Sequence, residues 1–287
     1  MIIHKQVPKA PAVVTDKVKL FFVACFVLFT AACLTITDGS CAEAPGDGCT
    51  VITSDALLAD MARALLPAPN YRVESIFPPG HCPGHYDVKL SDIEKIQKAC
   101  LVIFSRSVTF MGKPGHGRLL LDSEGRNWMA PDSYIVGIER LAGELSAYFP
   151  HQREEIEARK KTVSNHVRQE AQKLKERVCQ AGIDNLPVLA SSMQEETLTW
   201  MGFRVVGVYG RPESLTAREV ARLLKKGRVL RVVAVVDNLQ SGPEAGKRIA
   251  EALGKPHIVL TNYPSEEGYL SALRANVEAV LAALERK

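Results

Sequence analysis

Two rhythms of apolar and polar residues alternate along this chain. Short runs rich in Val, Ile and Leu are each followed by a longer stretch whose apolar residues recur every three or four positions. Cys49–Thr53 is the first such run, and Ser54 or Asp55 then caps an amphipathic helix to Leu66. Tyr71–Phe77 predicts a strand that Pro78-Pro79-Gly80 breaks. Ser91-Asp92-Ile93-Glu94 reads as a capping box opening a helix to Ala99, ahead of a strand at Cys100–Phe104. Pro131–Phe149 is expected to be helical. Further on, strands are predicted at Pro187–Ala190, Phe203–Tyr209, Val232–Val236 and Ile258–Leu260. Between and after them come helices to Met201, over Thr216–Lys226 and Pro243–Leu253, and to the C-terminus. Strands that are apolar throughout are buried on both faces, which implies parallel sheets covered by helices.

The middle of the chain departs from this alternation. Gln152 to Ala181 contains neither Gly nor Pro, and its apolar residues Ile156, Val163, Val167, Ala171, Leu174 and Val178 form one narrow stripe. Gly182 supplies the stop. A helix of that length spans roughly 45 Å at 1.5 Å per residue, more than a small lobe needs. It suits a strut across two lobes; the competing coiled-coil arm is a poor fit with Lys160 in the stripe. The expected architecture is therefore α/β, two lobes each with a parallel sheet flanked by helices, joined by a single long backbone helix. The boundaries fall at 1–42 for a leader with its linker, 43–150 and 183–287 for the lobes, and 151–182 for the connecting helix. No internal repeat is visible.

Composition narrows the function. With 46% apolar and 24% charged residues the chain is globular, and its net charge of +4 is weak. Part of that charge is Lys5, Lys9, Lys17 and Lys19 near the N-terminus, so nothing suggests nucleic acid. Arg159-Lys160-Lys161 and Lys225-Lys226 read as solvated surface. Lys17 and Lys19 precede an apolar run from Leu20 to Ile36, the order of an export signal. Three fates are open to it: cleavage after Ala42, lipidation of Cys33 after Ala31-Ala32, or retention as an uncleaved anchor. Cys49, Cys82, Cys100 and Cys179 remain in the body and allow three pairings. Cys49 and Cys100 each open a predicted strand, so a bridge is conceivable if those strands are neighbours; four unpaired thiols are the alternative.

In α/β lobes ligands bind beyond the carboxyl ends of strands, so the loops there hold the candidate chemistry. After Tyr71–Phe77 come His81, Cys82, His85 and Asp87, in a loop stiffened by prolines. Imidazole and thiolate favour zinc and similar ions; a structural turn is the plain alternative. After Val232–Val236 come Asp237 and Asn238, either ligand groups or a helix cap. After Pro187–Ala190 come Ser191, Ser192, Met193 and Gln194, where the serines are expected to cap a helix and Met193 is a lesser metal candidate. His116 reads as solvated, and His166 and His257 as structural. Nucleotide-binding and hydrolase motifs are absent. A Cys82 nucleophile with His81 or His85 as its base is a further reading, without an evident third member.

This pattern resembles the zinc/manganese family of ABC-importer solute-binding proteins, in which one long helix bridges two α/β lobes. The resemblance rests on Tyr86-Asp87-Val88-Lys89-Leu90-Ser91-Asp92, on Trp128-Met129-Ala130-Pro131, and on the strut. It implies a cleft metal held by three histidines and a carboxylate, two from each lobe. Here Gly84 stands at the first position with His85 beside it, Arg126 at the second with Asn127 following, Ser192-Met193-Gln194 at the third, and Asp237 at or near the fourth. The implied function is capture of a zinc-like ion, with His81, Cys82, His85, Asp237 and Met193 as candidate ligands. The alternative is a metal chelate or organic ligand of corrinoid or siderophore kind, held by Arg126, Asn127, Gln194 and Asn238. Either cargo implies a monomeric, non-enzymatic receptor, exported and tethered, serving a membrane permease and its ATPase.

Overall fold

The computed structural model describes residues 48–78 and 86–285; the leader with Cys33, and His81, Cys82 and His85, lie outside these described residues. The described residues form one compact unit. Its chain begins with β1 (Cys49–Thr53), α1 (Ala56–Leu65), β2 (Tyr71–Ser75), α2 (Leu90–Lys98), β3 (Leu101–Phe104) and β4 (Arg118–Leu120). Helices α3 (Pro131–Tyr148) and α4 (Arg153–Gln180) follow. The rest is β5 (Pro187–Ser191), α5 (Glu195–Trp200), β6 (Arg204–Tyr209), α6 (Ala217–Val229), β7 (Ala234–Asn238), α7 (Glu244–Leu253), β8 (His257–Leu260) and α8 (Tyr269–Leu284).

Both sheets are parallel, ordered β2-β1-β3-β4 and β6-β5-β7-β8. The same order occurs twice, so the fold repeats where the sequence shows no repeat. Burial selects apolar character at a position but not its identity, and so leaves little trace in sequence. Strand β4 was not expected: its three residues are only partly buried, too short a run to signal itself.

The local signals mostly act as expected. Asp55 caps α1, one carboxylate oxygen accepting from Leu57 and Leu58 N–H at 3.1 and 3.0 Å. Gly182 takes φ +68° beyond α4, the left-handed conformation that ends a helix. Two expectations are corrected. Helix α2 starts at Leu90, and the acid that closes back is Asp92, which accepts from Lys89 N–H at 2.9 Å, rather than Glu94. The Tyr86 hydroxyl, also 2.9 Å from Asp92, fixes that carboxylate in place. Nor do Ser191 and Ser192 cap α5: a 3-10 turn over Ser192–Gln194 intervenes, and no side chain caps either element.

Helix α4 runs 28 residues and buries Ile156, Val167, Ala171, Leu174 and Val178. It packs on α1, α3 and α8. Through it one continuous apolar core joins Val51 and Ile103 of the first sheet to Val188, Val236 and Leu260 of the second. Smaller cores fill the opposite faces, around Ile52, Val102 and Phe104 in one lobe and Leu189 and Val235 in the other. Cys49 and Cys100 form a disulfide across neighbouring strands, with Cα atoms 5.7 Å apart, and Cys179 is free and exposed. Among the described residues no helix is long and apolar enough to cross a membrane.

Candidate functional site

The loops beyond the strands' carboxyl ends line a cavity of about 1010 Å³. Asp55 and Ser105 reach it from the ends of β1 and β3, Met193 from β5, and Asn262 from β8. Parallel sheets leave a crevice where strand order reverses, and in the first sheet β1 and β3 flank that point.

The middle of the cavity wall is a chain of side-chain amides. Asn127 sits just before α3, held by the Met129 N–H donating to its Oδ1 at 2.9 Å. Its Nδ2 reaches the Met193 carbonyl at 2.6 Å, and Thr197 Oγ1 and Asn262 Oδ1 both at 3.2 Å. Asn262 donates in turn to the Met193 carbonyl at 3.1 Å and accepts from Gln194 Nε2 at 2.7 Å. Gln194 continues to Asn238 Oδ1 at 3.0 Å, and Asn238 donates to Ser241 Oγ at 2.7 Å. Glu196 adds a second tie, its carboxylate accepting from the Asn127 N–H and the Ser133 hydroxyl. The loop before α3 is thereby bonded directly to the ends of β5 and β8. A further contact closes beside it: Tyr134 and Tyr269 stack at 3.7 Å, and Asp60 accepts from the Tyr134 hydroxyl at 2.7 Å and the Tyr269 N–H at 3.2 Å.

The expected site residues are only partly brought together. Arg126, Asn127 and Met193 line the cavity, Arg126 exposed and Met193 46% exposed. Gln194 and Asn238 lie behind its wall, fully buried as links of the amide chain, and Gln194 Oε1 has no partner among the described residues. Asp237 does not reach the cavity. It is buried, 2.9 Å from His257 Nε2 and bonded to the Tyr209 hydroxyl and the Gly246 N–H. Burial raises its pKa, against the lowering influence of His257, Tyr209 and the Gly246 N–H. Gly246 is needed there, because a methyl group would overlap both the Asp237 carboxylate and the Tyr209 hydroxyl. Among the described residues no three His, Cys, Asp or Glu side chains converge as a metal site would require. Asn262 is not among the expected site residues, although Thr261-Asn262-Tyr263 follows a predicted strand, because a lone amide carries no metal-ligand signal in sequence.

The chemistry of this wall is hydrogen bonding. Amide carbonyls are neutral and weaker zinc ligands than imidazole or thiolate. The amide hydrogens of Asn127 and Gln194 already face acceptors. Trp128, Trp200 and Tyr263 supply aromatic surface, Arg126 and Lys175 supply cations without salt bridges among the described residues, and Asp122, Asp132, Glu195 and Glu196 supply carboxylates.

Comparison with known proteins places this architecture. The structure of the Mn-bound periplasmic metal binding protein from Candidatus Liberibacter asiaticus matches with a TM-score of 0.69 at 17% identity, covering 82% of this chain and 99% of that one. The mutant laminin-binding adhesin Lmb from Streptococcus agalactiae matches with a TM-score of 0.68 at 15% identity, covering 83% and 100%. A crystal structure of ZnuA matches with a TM-score of 0.67 at 14% identity, also covering 83% and 100%. At such identities these likenesses establish the fold: two parallel-sheet lobes and one long helix. No curated protein matches the sequence. The profile of the family described as zinc-uptake complex component A, periplasmic, matches residues 124–283, more than half of the chain. Members of that family are binding proteins and not enzymes. The loop carrying Asn127, the strut, and the whole second lobe thus align with one family, and the chain belongs to it: the periplasmic substrate-binding components of zinc-uptake complexes.

Proposed function

We propose that this protein captures its cargo in the cavity between the lobes and passes it to a membrane permease coupled to an ATPase. The cargo is a metal enclosed in a small organic chelator, or an organic molecule of similar size. One observation carries this reading: beside the second and within the third position where the resemblance puts metal ligands, Asn127 and Gln194 belong to an amide chain that is bonded to itself, and the second position itself is Arg126, a cation. A cavity of about 1010 Å³ whose lining mixes aromatic rings, cations and carboxylates suits a molecule rather than a single ion. Arg126, Asn127 and Met193 are the contacts proposed for it, with Gln194 and Asn238 fixing Asn127 and Asn262 from behind. A tether at Cys33 or an uncleaved leader would keep the receptor at the membrane.

A second reading is favoured by Met193, whose exposed thioether lines the cavity. Together with His81, Cys82 and His85 it would offer imidazole and sulfur donors to a bare zinc-like ion, softer than manganese. Asp237 has no part in that set, being bonded to His257 and Tyr209. The two readings separate on protein purified without a metal affinity column, by metal analysis together with mass spectrometry of the released ligand. An organic molecule at about one per chain, with or without metal, supports the first. Zinc alone, stabilising a chelator-stripped sample by mass action, establishes the second. Retention of neither, with no thermal shift from either class, overturns cargo binding in this cavity.

A further inference from the structure

The second lobe carries a basic face that neither the cavity nor the core uses. From Arg204 to Arg231 the chain has eight cations and two acids, a net of +6 where the whole protein has +4. Both acids are engaged locally. Glu213 lies 4.0 Å from Arg211, and Glu219 closes the cap of α6 by accepting from Thr216 N–H and Oγ1 at 2.9 and 2.7 Å. Arg204, Arg218, Arg222, Lys225, Arg228 and Arg231 are exposed and enter no salt bridge among the described residues. On the adjoining α7, Lys247 and Arg248 are exposed too.

Helix electrostatics explains only part of this. Cations in the last turn, such as Lys226 and Arg228, complement the carboxyl end of the helix dipole, but Arg218 in the first turn opposes it. The scaffold does not demand the charge either. In the first lobe α2 joins β2 to β3 as α6 joins β6 to β7, and it balances Lys95 and Lys98 against Asp92 and Glu94. Arg231 stands at φ 52°, a conformation ordinarily given to Gly or Asn.

We infer that this face docks on an anionic phospholipid surface. Its cations are spread along α6, roughly 20 Å at 1.5 Å per residue, instead of converging on one pocket. That distribution fits a plane of phosphate headgroups, with Val229, 70% exposed among the cations, able to enter the interface. The family works in the periplasm, next to a membrane. The face runs from the start of α6, beyond the carboxyl end of β6, to Arg204 and Arg231 at the opposite end of the sheet, and none of its cations lines the cavity. Docking there leaves the cavity free for exchange.

The test uses the full chain and flotation with phosphatidylcholine vesicles made with or without phosphatidylglycerol. The bound fraction is expected to rise several-fold on the anionic vesicles and to fall as salt is added. A triple variant, Arg218→Glu, Arg222→Glu and Lys225→Glu, should lose that increment; the leader is common to both proteins and cancels in the comparison. A second variant with Gln at the three positions guards against misfolding and should fall between them, with an unchanged circular dichroism spectrum. No anionic increment in the wild type overturns the inference. So does a charge-reversed variant that keeps the increment, even one that fails in transport, because the face would then serve the permease. None of these outcomes bears on which cargo fills the cavity.

Discussion

Asp55 performs two tasks at the edge of the cavity, where it is almost wholly buried. One carboxylate oxygen caps α1, and the other accepts from the Ser54 hydroxyl at 2.8 Å. Burial pushes its pKa up, and the three hydrogen bonds offset only part of that. A carboxyl raised in the fold contributes stability that is fully present below its ordinary value near 3.8 and is lost as pH rises through the folded value. Asp55→Asn keeps an efficient cap without the ionisation. Measured by urea unfolding, it should therefore gain on the wild type between pH 4 and pH 7, whereas Asp55→Ala should cost roughly 1 kcal/mol for the lost cap. An Asn variant whose difference from wild type stays flat with pH would show that the burial cost is not carried by this group. Asp55 was legible in the sequence because a cap acts within three residues of itself. Asn262 was not, because its role depends on Asn127, 135 positions away.

At the level of elements, the strut and the strands follow from periodicity, and the disulfide shows where periodicity stops. Opening two predicted strands, Cys49 and Cys100 were a conceivable pair on the condition that those strands are neighbours. The β1–β3 ladder, pairing Val51 with Leu101, meets that condition. The bridge closes a loop of 51 residues, so constraint of the unfolded chain gives about 4 kcal/mol on the chain-entropy account. A Cys49→Ser, Cys100→Ser double variant should show a lower urea midpoint with cargo binding retained, since both cysteines lie at the amino ends of their strands, away from the cavity. Equal midpoints for the oxidised and doubly substituted proteins would sink this expectation. Helix α4 was legible for the opposite reason: a long stretch without Gly or Pro and with one apolar stripe has few alternatives to a helix.

For the whole molecule, a continuous core and polar ties through Asn127, Glu196 and Asp60 join the lobes beside the cavity. Asn127 is the residue most exposed to test, since it bonds simultaneously to Met193, Thr197 and Asn262. Asn127→Ala should cost about 1–3 kcal/mol, as buried hydrogen-bond partners are left unpaired. Hydrogen exchange should quicken around Met193 and Thr197. Asn127→Asp should cost more than Ala, since it sets a carboxylate against the Met193 carbonyl, the Asn262 carbonyl and Glu196. A variant with Asp that is as stable as wild type would mean that the amide chain does not hold the lobes together.

The sequence alone was enough for the succession of strands and helices, the strut, and membership of a two-lobe α/β class. Each of these follows from propensity, capping and apolar spacing acting within a few residues. Tertiary structure decided which loops meet and which way neighbouring side chains face. Asp237 and Asn238 are consecutive on β7, yet one faces His257 and Tyr209 while the other faces Gln194. Successive residues of a strand point to opposite sides of the sheet, so the composition of a loop cannot say which of two adjacent groups reaches a site. Only pairing with β5 and β8 fixes that parity, and with it the difference between a carboxylate in the cleft and an amide in its wall.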